Sequence, residues 1–535
     1  MKSIIAITLA AALLPNAALG DARPTLDDRA NLHWVHQEVE IAGALDALVR
    51  RAISGFIVFR DISRVDPQSG STIPDQTVVV RDDKIAWVGD AAAAPDITGA
   101  TVIDGRGLYL SPGLTDMHVH TSSLSEQLLR LAMGNTSVRD MDGFPWMLET
   151  RRAIASGQLL APTEYIAGTI ITSYPLGGYS VVVHTTDDAR TQVRNQAACG
   201  YDFIKVHNIL KLPLFDAVAD EAKRAGLDLV GHIPHDITID HAVHSGGMRT
   251  LEHLKGFVSD RTLIVSDEDY AAALAGAQVW LTPTFYAATG AHRGDHPQQT
   301  LALPEMQYVP LRNRQRWAAE TKFPQSSKGQ ALLDTALPLA MARLLPLHPH
   351  WLAGTDAAQY SFQVAGFALL DELVEMEQFG IPLPEVLRAA TSEPAAALHR
   401  SDEFGSIATG MRADLVVLGS DPTKDLHAYR DNRGTVVRGM YLDQAALASA
   451  LARLAAIEAE PDTDYRLDRR TVVALLQDLE KLAARHIALD AMHLTPAAAS
   501  LVRLGYAKPA AEMEAAIARY RTGPCAEVTP EGGDD

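Results

Sequence analysis

The chemistry of this chain begins with two histidines one residue apart. His118 and His120 stand at the end of Leu114-Thr115-Asp116-Met117-His118-Val119-His120, a run that predicts a strand. Side chains on a strand alternate in direction, so both imidazoles face one side, where they could grip one divalent cation. In a chain with 19 histidines the pair is weak by itself. Four later runs each end on a further candidate: Phe203-Ile204-Lys205-Val206, Val230-Gly231-His232, Leu251-Glu252-His253 and Gly354-Thr355-Asp356. Imidazole nitrogens and carboxylate oxygens are the ligands that zinc and similar ions take. Four histidines, a lysine and an aspartate at the ends of five strands are not a chance arrangement.

Those residues need a scaffold. Candidate strands fall at Leu114–His120, Thr136–Met141, Glu164–Ala167, Asp202–Val206, Asp228–His232, Arg249–His253, Gln278–Thr282 and Trp351–Asp356. Helix-like pieces lie between them, such as Leu212–Ala225 closed by Gly226 and Asp267–Ala275 closed by Gly276. Repeated β-then-α over residues 113–402 predicts an α/β fold, and eight strands predict a (β/α)8 barrel of the TIM type. Every candidate ligand then lies at the C-terminal end of a strand, the face where such barrels keep their sites. Strand-and-turn segments at 55–112 and 403–443 flank the barrel, and together they predict a composite β-sandwich domain. Residues 21–54 predict an N-terminal helical segment, and 444–535 an Ala-rich helical extension. The stretch 283–328, interrupted by Pro283, Pro297, Pro304, Pro310 and Pro324, reads as a long irregular loop over the barrel mouth.

The ordered motifs resemble the amidohydrolase superfamily, in its imidazolonepropionase-like branch with prolidase-type and ochratoxinase-type hydrolases. They are Pro112-Gly113-Leu114-Thr115-Asp116-Met117-His118-Val119-His120, Val138-Arg139-Asp140-Met141, Phe203-Ile204-Lys205-Val206, Gly231-His232-Ile233-Pro234, Glu252-His253-Leu254 and Gly354-Thr355-Asp356-Ala357. A return segment, Gly410-Met411-Arg412-Ala413-Asp414-Leu415-Val416-Val417-Leu418, extends the resemblance over roughly 55–450. The resemblance implies two divalent metal ions, zinc by expectation. His118, His120 and Asp356 would hold one, and His232 and His253 the other. Lys205, as a carbamate formed with CO2, would bridge them, since a free ammonium repels a cation. A hydroxide held between the metals would attack the carbonyl of a C–N amide bond, because coordination lowers the water pKa from about 15.7 toward 7. Asp356 would serve as general base and then acid toward the leaving nitrogen.

Several residues keep two readings open. His207 stands where relatives often carry Tyr; on the face of Lys205 it either reaches substrate or a metal-bound group, or lies behind the ligands. Arg139 either forks a substrate carboxylate or forms an internal ion pair. Tyr286 and Trp317 either wall the pocket or pack. Glu252 is expected to point away from the metal by strand alternation. His235, His241 and His244 lie past a strand end and are expected to be solvated, and His348 and His350 fall on the wrong face of the barrel. Without carbamylation of Lys205 the same barrel would be a mononuclear deaminase. A catalytically inactive binding protein of this fold would be expected to lack ligands, and all six positions are filled.

Composition sets the boundaries. The formal net charge of −19, with no Lys/Arg-rich run, argues against a nucleic-acid or anionic-membrane partner but names no substrate; a small-molecule amide is what the resemblance implies. Met1-Lys2, an apolar run from Ile4 to Leu14 and Ala18-Leu19-Gly20 read as a signal peptide over residues 1–20, hence a protein exported to the periplasm or the exterior. The apolar run is shorter than the roughly 20 residues a spanning helix needs. Cys199 and Cys525 are the two cysteines, too few for a disulfide framework, although an oxidising compartment would let them pair. Homo-oligomerisation and the identity of the amide stay open.

Overall fold

The computed structural model describes residues 25–525, apart from 177–179, 255–256, 258–270, 272–273, 275, 320–335, 358–361, 486, 490, 507–509, 512, 516–517 and 519–524. The expected signal peptide lies outside the described residues, as does most of the helix expected at 267–275.

The barrel strands run Leu114–Val119, Asn135–Asp140, Thr163–Ile166, Phe203–Val206, Asp228–Gly231, Met248–Glu252, Trp280–Thr282 and His350–Trp351. Strands one to three pair in parallel with one another, as do strands four to eight. The bridge Ala167↔Phe203 joins the two arcs on one side. On the other, Val119↔Ala357 and the Met117 N–H to Ala353 carbonyl bond of 2.8 Å close eight onto one. Strand one is buried along its whole length, as expected where side chains fill the interior and helices cover the outside. The helix Leu212–Ala225 follows strand four and ends on Gly226 at φ +70°, a left-handed cap that glycine adopts without a Cβ clash.

The two flanking segments join in one hydrogen-bonded eight-stranded sheet. The seam is Tyr109–Pro112, which pairs antiparallel with Leu415–Leu418. The Gly113 N–H then donates to the Asp414 carbonyl at 2.8 Å, so the chain enters and leaves the barrel at one place.

The helix Leu26–Arg51 opens on a Thr25–Asp28 capping box and buries Leu32, Val35, Ile41, Leu45 and Leu48, a stripe at helical spacing. It shares one apolar core with helices Leu124–Ala132, Gln444–Glu458, Arg469–Ala484 and Ala491–Arg503. The stretch 283–328 differs from the expected irregular loop. Its described part folds as helices Phe285–Asp295, Pro297–Leu301 and Leu311–Ala319 around a 3-10 turn at Pro304–Tyr308. Pro297 and Pro304 sit in first turns, where proline's missing N–H is no loss. Cys199, ending the helix Thr186–Cys199, is disulfide-bonded to Cys525 with a Cα–Cα distance of 5.5 Å.

Candidate metal centre

His118 is fully buried on strand one, and its two ring nitrogens have different partners. Nδ1 lies 2.9 Å from Glu252 Oε2. A carboxylate only accepts, so Nδ1 carries the proton and Nε2 keeps its lone pair. That Nε2 lies 3.3 Å from Lys205 Nζ and 3.4 Å from Asp356 Oδ1. His120, on the same strand face, places Nε2 3.0 Å from the same Asp356 oxygen. His253 sets Nδ1 2.7 Å from the Thr284 hydroxyl. One ligand atom each from His118, His253 and Asp356 lie within 4.8 Å of one another. The His232 ring is 4.7 Å from that of His253, and the His207 ring is 4.3 Å from that of His232. All six expected ligand positions therefore gather at one mouth, with His207 on its edge.

The backbone brings them there. His253 and Asp356 have φ of +59° and +58°, left-handed turns at the strand ends that hold non-glycine residues in a sparsely populated region, as functional sites often do. Strand eight is tied to strand one through Asp116, which accepts from the Thr355 hydroxyl at 2.8 Å and from the Thr355 N–H at 3.1 Å. The Thr121 N–H donates to Asp140 at 2.7 Å and pins the turn after His120.

Electrostatics select ligand-competent forms. Burial, with the Lys205 charge adding, pushes His118 down to about 4 against the pull of Asp356 and Glu252, and burial drives His253 well below its ordinary value. Both are then neutral imidazoles at neutral pH, the form that binds metal. Burial also lowers Lys205, against the charges of Asp356, Glu252 and Asp142. Burial would raise Asp356, but the imidazoles of His253, His118 and His120 packed around it outweigh that push and hold the carboxyl well below the usual range, so the negative charge of the cluster rests on Asp356.

Two expectations need correction. Arg139 is not available to a substrate carboxylate. It is 1% exposed, and its guanidinium donates to Glu252 Oε1 at 2.8 Å, the Thr250 hydroxyl at 2.8 Å and the Met117 carbonyl at 2.6 Å. Glu252 does not point away from the site, because the left-handed turn at His253 breaks strand alternation. Its side chain instead joins Arg139 to His118 inside the barrel. Tyr286 is buried against Ala357 and Ala368, with the Arg293 guanidinium stacked on its ring at 3.6 Å. Burial pushes its hydroxyl up to about 12, so it packs behind Asp356. His241 pairs with Asp216 at 2.7 Å, His235 contacts Asn208 at 3.1 Å and His350 contacts Glu393 at 3.2 Å.

Sequence reasoning passed over Asp142, just past strand two. It is 3% exposed, and neither carboxylate oxygen has a well-formed hydrogen bond among the described residues, the Ile170 backbone being its nearest donor. Burial, with Asp140 adding, raises it well above the carboxylate range, against the Lys205 charge. Its only sequence signal was a second acid after Asp140. A buried carboxyl without a well-formed hydrogen bond, an unpartnered His120 Nδ1 and a cluster of nitrogen and carboxylate donors are what a site for divalent metal ions presents.

Comparison with known proteins agrees with this geometry. Residues 206–445 match the model of the amidohydrolase family, a stretch that holds His232, His253 and Asp356. Over 396 residues the chain is 24% identical to an adenine deaminase of Rubrobacter xylanophilus, covering 71% of this chain and 57% of that protein. Over 397 residues it is 27% identical to an imidazolonepropionase of Micrococcus luteus, covering 69% of this chain and 93% of that one. The solved structure of a bottromycin amidohydrolase superposes with a TM-score of 0.65 at 25% identity, covering 81% of this chain and 98% of that one. A TIM-type barrel with the candidate ligands gathered at its C-terminal mouth agrees with the amidohydrolase-family domain that residues 206–445 match and with the fold of the bottromycin amidohydrolase.

Proposed function

We propose that the protein is an exported, binuclear metal-dependent amidohydrolase that cleaves a C–N amide bond in a dipeptide, an N-acyl amino acid or a cyclic amide. The observation that carries this reading is the convergence of His118 Nε2, Lys205 Nζ and Asp356 Oδ1 within 3.3 and 3.4 Å, beside His120, His232 and His253. His118, His120 and Asp356 would hold one ion, and His232 and His253 the other. Lys205, whose neutral amine is favoured by burial, would add CO2 by forming an N–C bond and releasing a proton, and the carbamate would give the site a further anionic donor. Bound divalent ions, zinc by preference for this donor set, supply Lewis acidity toward the carbonyl and a more acidic water.

The chain supplies the rest. Asp356, ionised at neutral pH, takes the proton from the attacking water on Oδ and passes it to the leaving nitrogen. Glu252 fixes the His118 tautomer, and Arg139 neutralises Glu252 from within the barrel. Support for export comes from the signal-like N-terminus and from the Cys199–Cys525 bond, since disulfides persist in oxidising compartments.

Purified enzyme is expected to hold about two divalent ions per chain and to lose amide hydrolysis with chelator. Asp356→Asn is expected to retain much of the metal and lose turnover. A well-folded preparation without metal, or normal turnover by Asp356→Asn, defeats the reading. A mononuclear deaminase is the second reading, favoured by His118, His253 and Asp356, whose ligand atoms lie within 4.8 Å of one another and could hold one ion. It predicts one ion, a mild Lys205→Ala phenotype and release of ammonia.

A further inference from the structure

A cavity of about 230 Å³ lies where the chain segments that follow His120 and Asp356 meet the outer helices. Its wall includes Ser122 and Ser123, just past His120, and the Gln363–Ala365 segment after Asp356, so it adjoins the barrel mouth. The far wall comes from outside the barrel: Trp34 on the N-terminal helix and Glu458 on the helix Gln444–Glu458. Tyr308 and Trp317 close it from the segment after strand seven.

The lining carries both signs of charge. Glu458 is 2% exposed, and its Oε2 finds no hydrogen-bond partner among the described residues. Arg312 faces it closely enough to oppose the upward push of burial on that carboxyl. The two groups do not meet in an ion pair among the described residues, and the contact seen for the Arg312 guanidinium is a bond of 3.2 Å to the Ala30 carbonyl. Glu458 and Arg312 line one cavity together with Trp34, Tyr308 and Trp317, and with Glu38, Glu126 and Arg316 also in its wall; opposite charges that do not pair with each other fit a ligand that carries both charges itself. Burial pushes the Glu458 carboxyl up to about 8 against the pull of Arg312 and the Ser125 hydroxyl, and a ligand ammonium at its unpartnered Oε2 would favour the charged form. Aromatic faces add attraction for a cation. The volume suits an amino acid rather than a single ion or water.

We propose that this cavity is a subsite for the charged head of an amino acid, its ammonium set against Glu458 and its carboxylate against Arg312. The inference rests on the amidohydrolase reading for its role and on the cavity for its ligand. It narrows the substrate class to amides of an amino acid whose ammonium and carboxylate are both free, which places the scissile amide on the side chain.

The test is binding of L-phenylalanine to the metal-loaded enzyme, read by calorimetry and by tryptophan fluorescence, since Trp34 and Trp317 line the cavity. L-phenylalanine is expected to bind saturably. Phenylethylamine and phenylpropionate, each lacking one charge, are expected to bind at least 10-fold more weakly. Glu458→Gln and Arg312→Met are each expected to weaken L-phenylalanine at least 10-fold with metal content unchanged. No saturable binding, equal binding of the singly charged analogues, or unchanged binding by both variants overturns the proposal. If Glu458→Gln fails to fold, the analogue series and Arg312→Met decide alone. Metal content and amide hydrolysis are measured separately, so absence of metal with L-phenylalanine binding intact defeats the amidohydrolase reading and leaves the cavity assignment standing.

Discussion

Glu252 joins two tasks in one side chain. One oxygen orients His118, and the other neutralises Arg139, which is buried and pairs with no other carboxylate among the described residues. Glu252→Gln preserves the shape and the contact with His118 but leaves a buried guanidinium uncompensated, a loss of about 3–5 kcal/mol in stability. Metal affinity is expected to fall about 10–100-fold, the usual effect of loosening a ligand's outer partner. Denaturant melts and metal titration check both. Adding Arg139→Met is expected to recover part of the stability and none of the affinity. Glu164 shows the opposite electrostatic case. Burial, with Asp140 adding, pushes it up to about 7, against the hydrogen bond from Gln127. An unfolded glutamate titrates near 4.3. The folded chain therefore keeps an extra proton between those values. The stability that this proton represents is full below about pH 4.3 and is lost as pH rises through about 7. Glu164→Gln is expected to leave stability at pH 4.5 nearly unchanged and to raise it by about 3 kcal/mol at pH 8. A difference between wild type and variant that does not change with pH would refute this.

At the scale of elements, the ligand-bearing strands were legible because each is an apolar run that ends on a polar residue. That is how a strand covered on both faces reads when its tip is exposed to a site. The helix Leu212–Ala225 was equally legible from its periodicity and its glycine stop. The segment after strand seven was misread because proline was taken as a breaker, whereas Pro297 and Pro304 start helical turns. Glu252 was misplaced because strand alternation cannot anticipate the positive φ at His253. Strands four and five meet at Gly231, whose φ is +123° and whose place for a Cβ lies 2.2 Å from the Val206 carbonyl oxygen and 3.2 Å from Lys205 Cγ. Gly231→Ala is expected to force these strands apart, lowering stability by about 2–5 kcal/mol and releasing metal, because Lys205 and His232 move with them. Gly226→Ala meets nothing within 4 Å. It is expected to lower stability by only about 1 kcal/mol and to keep the metal. Metal analysis of the two variants separates a disturbed centre from a merely weakened helix end.

Across the whole molecule, the first and last described segments are tied back to the rest of the chain. The N-terminal helix lies among the C-terminal helices, with Asp28 accepting from Arg503, and Cys525 is bonded to Cys199 across a separation of 326 residues. No described helix is long and apolar enough to cross a membrane. Closing so long a loop constrains the unfolded chain strongly, and the entropic account places the gain at the upper end of the usual range, up to about 5 kcal/mol. Cys525→Ser is expected to lower the melting temperature while leaving metal content and turnover at 25 °C unchanged, because neither cysteine is among the candidate ligands and Cys199 closes an outer helix. Native enzyme, denatured without reductant, is expected to show no titratable thiol, and two after reduction. Protein made in a reducing cytosol is expected to carry both thiols free and to gain stability on mild oxidation. Two free thiols in enzyme recovered from an oxidising compartment would refute the pairing and remove its support for export.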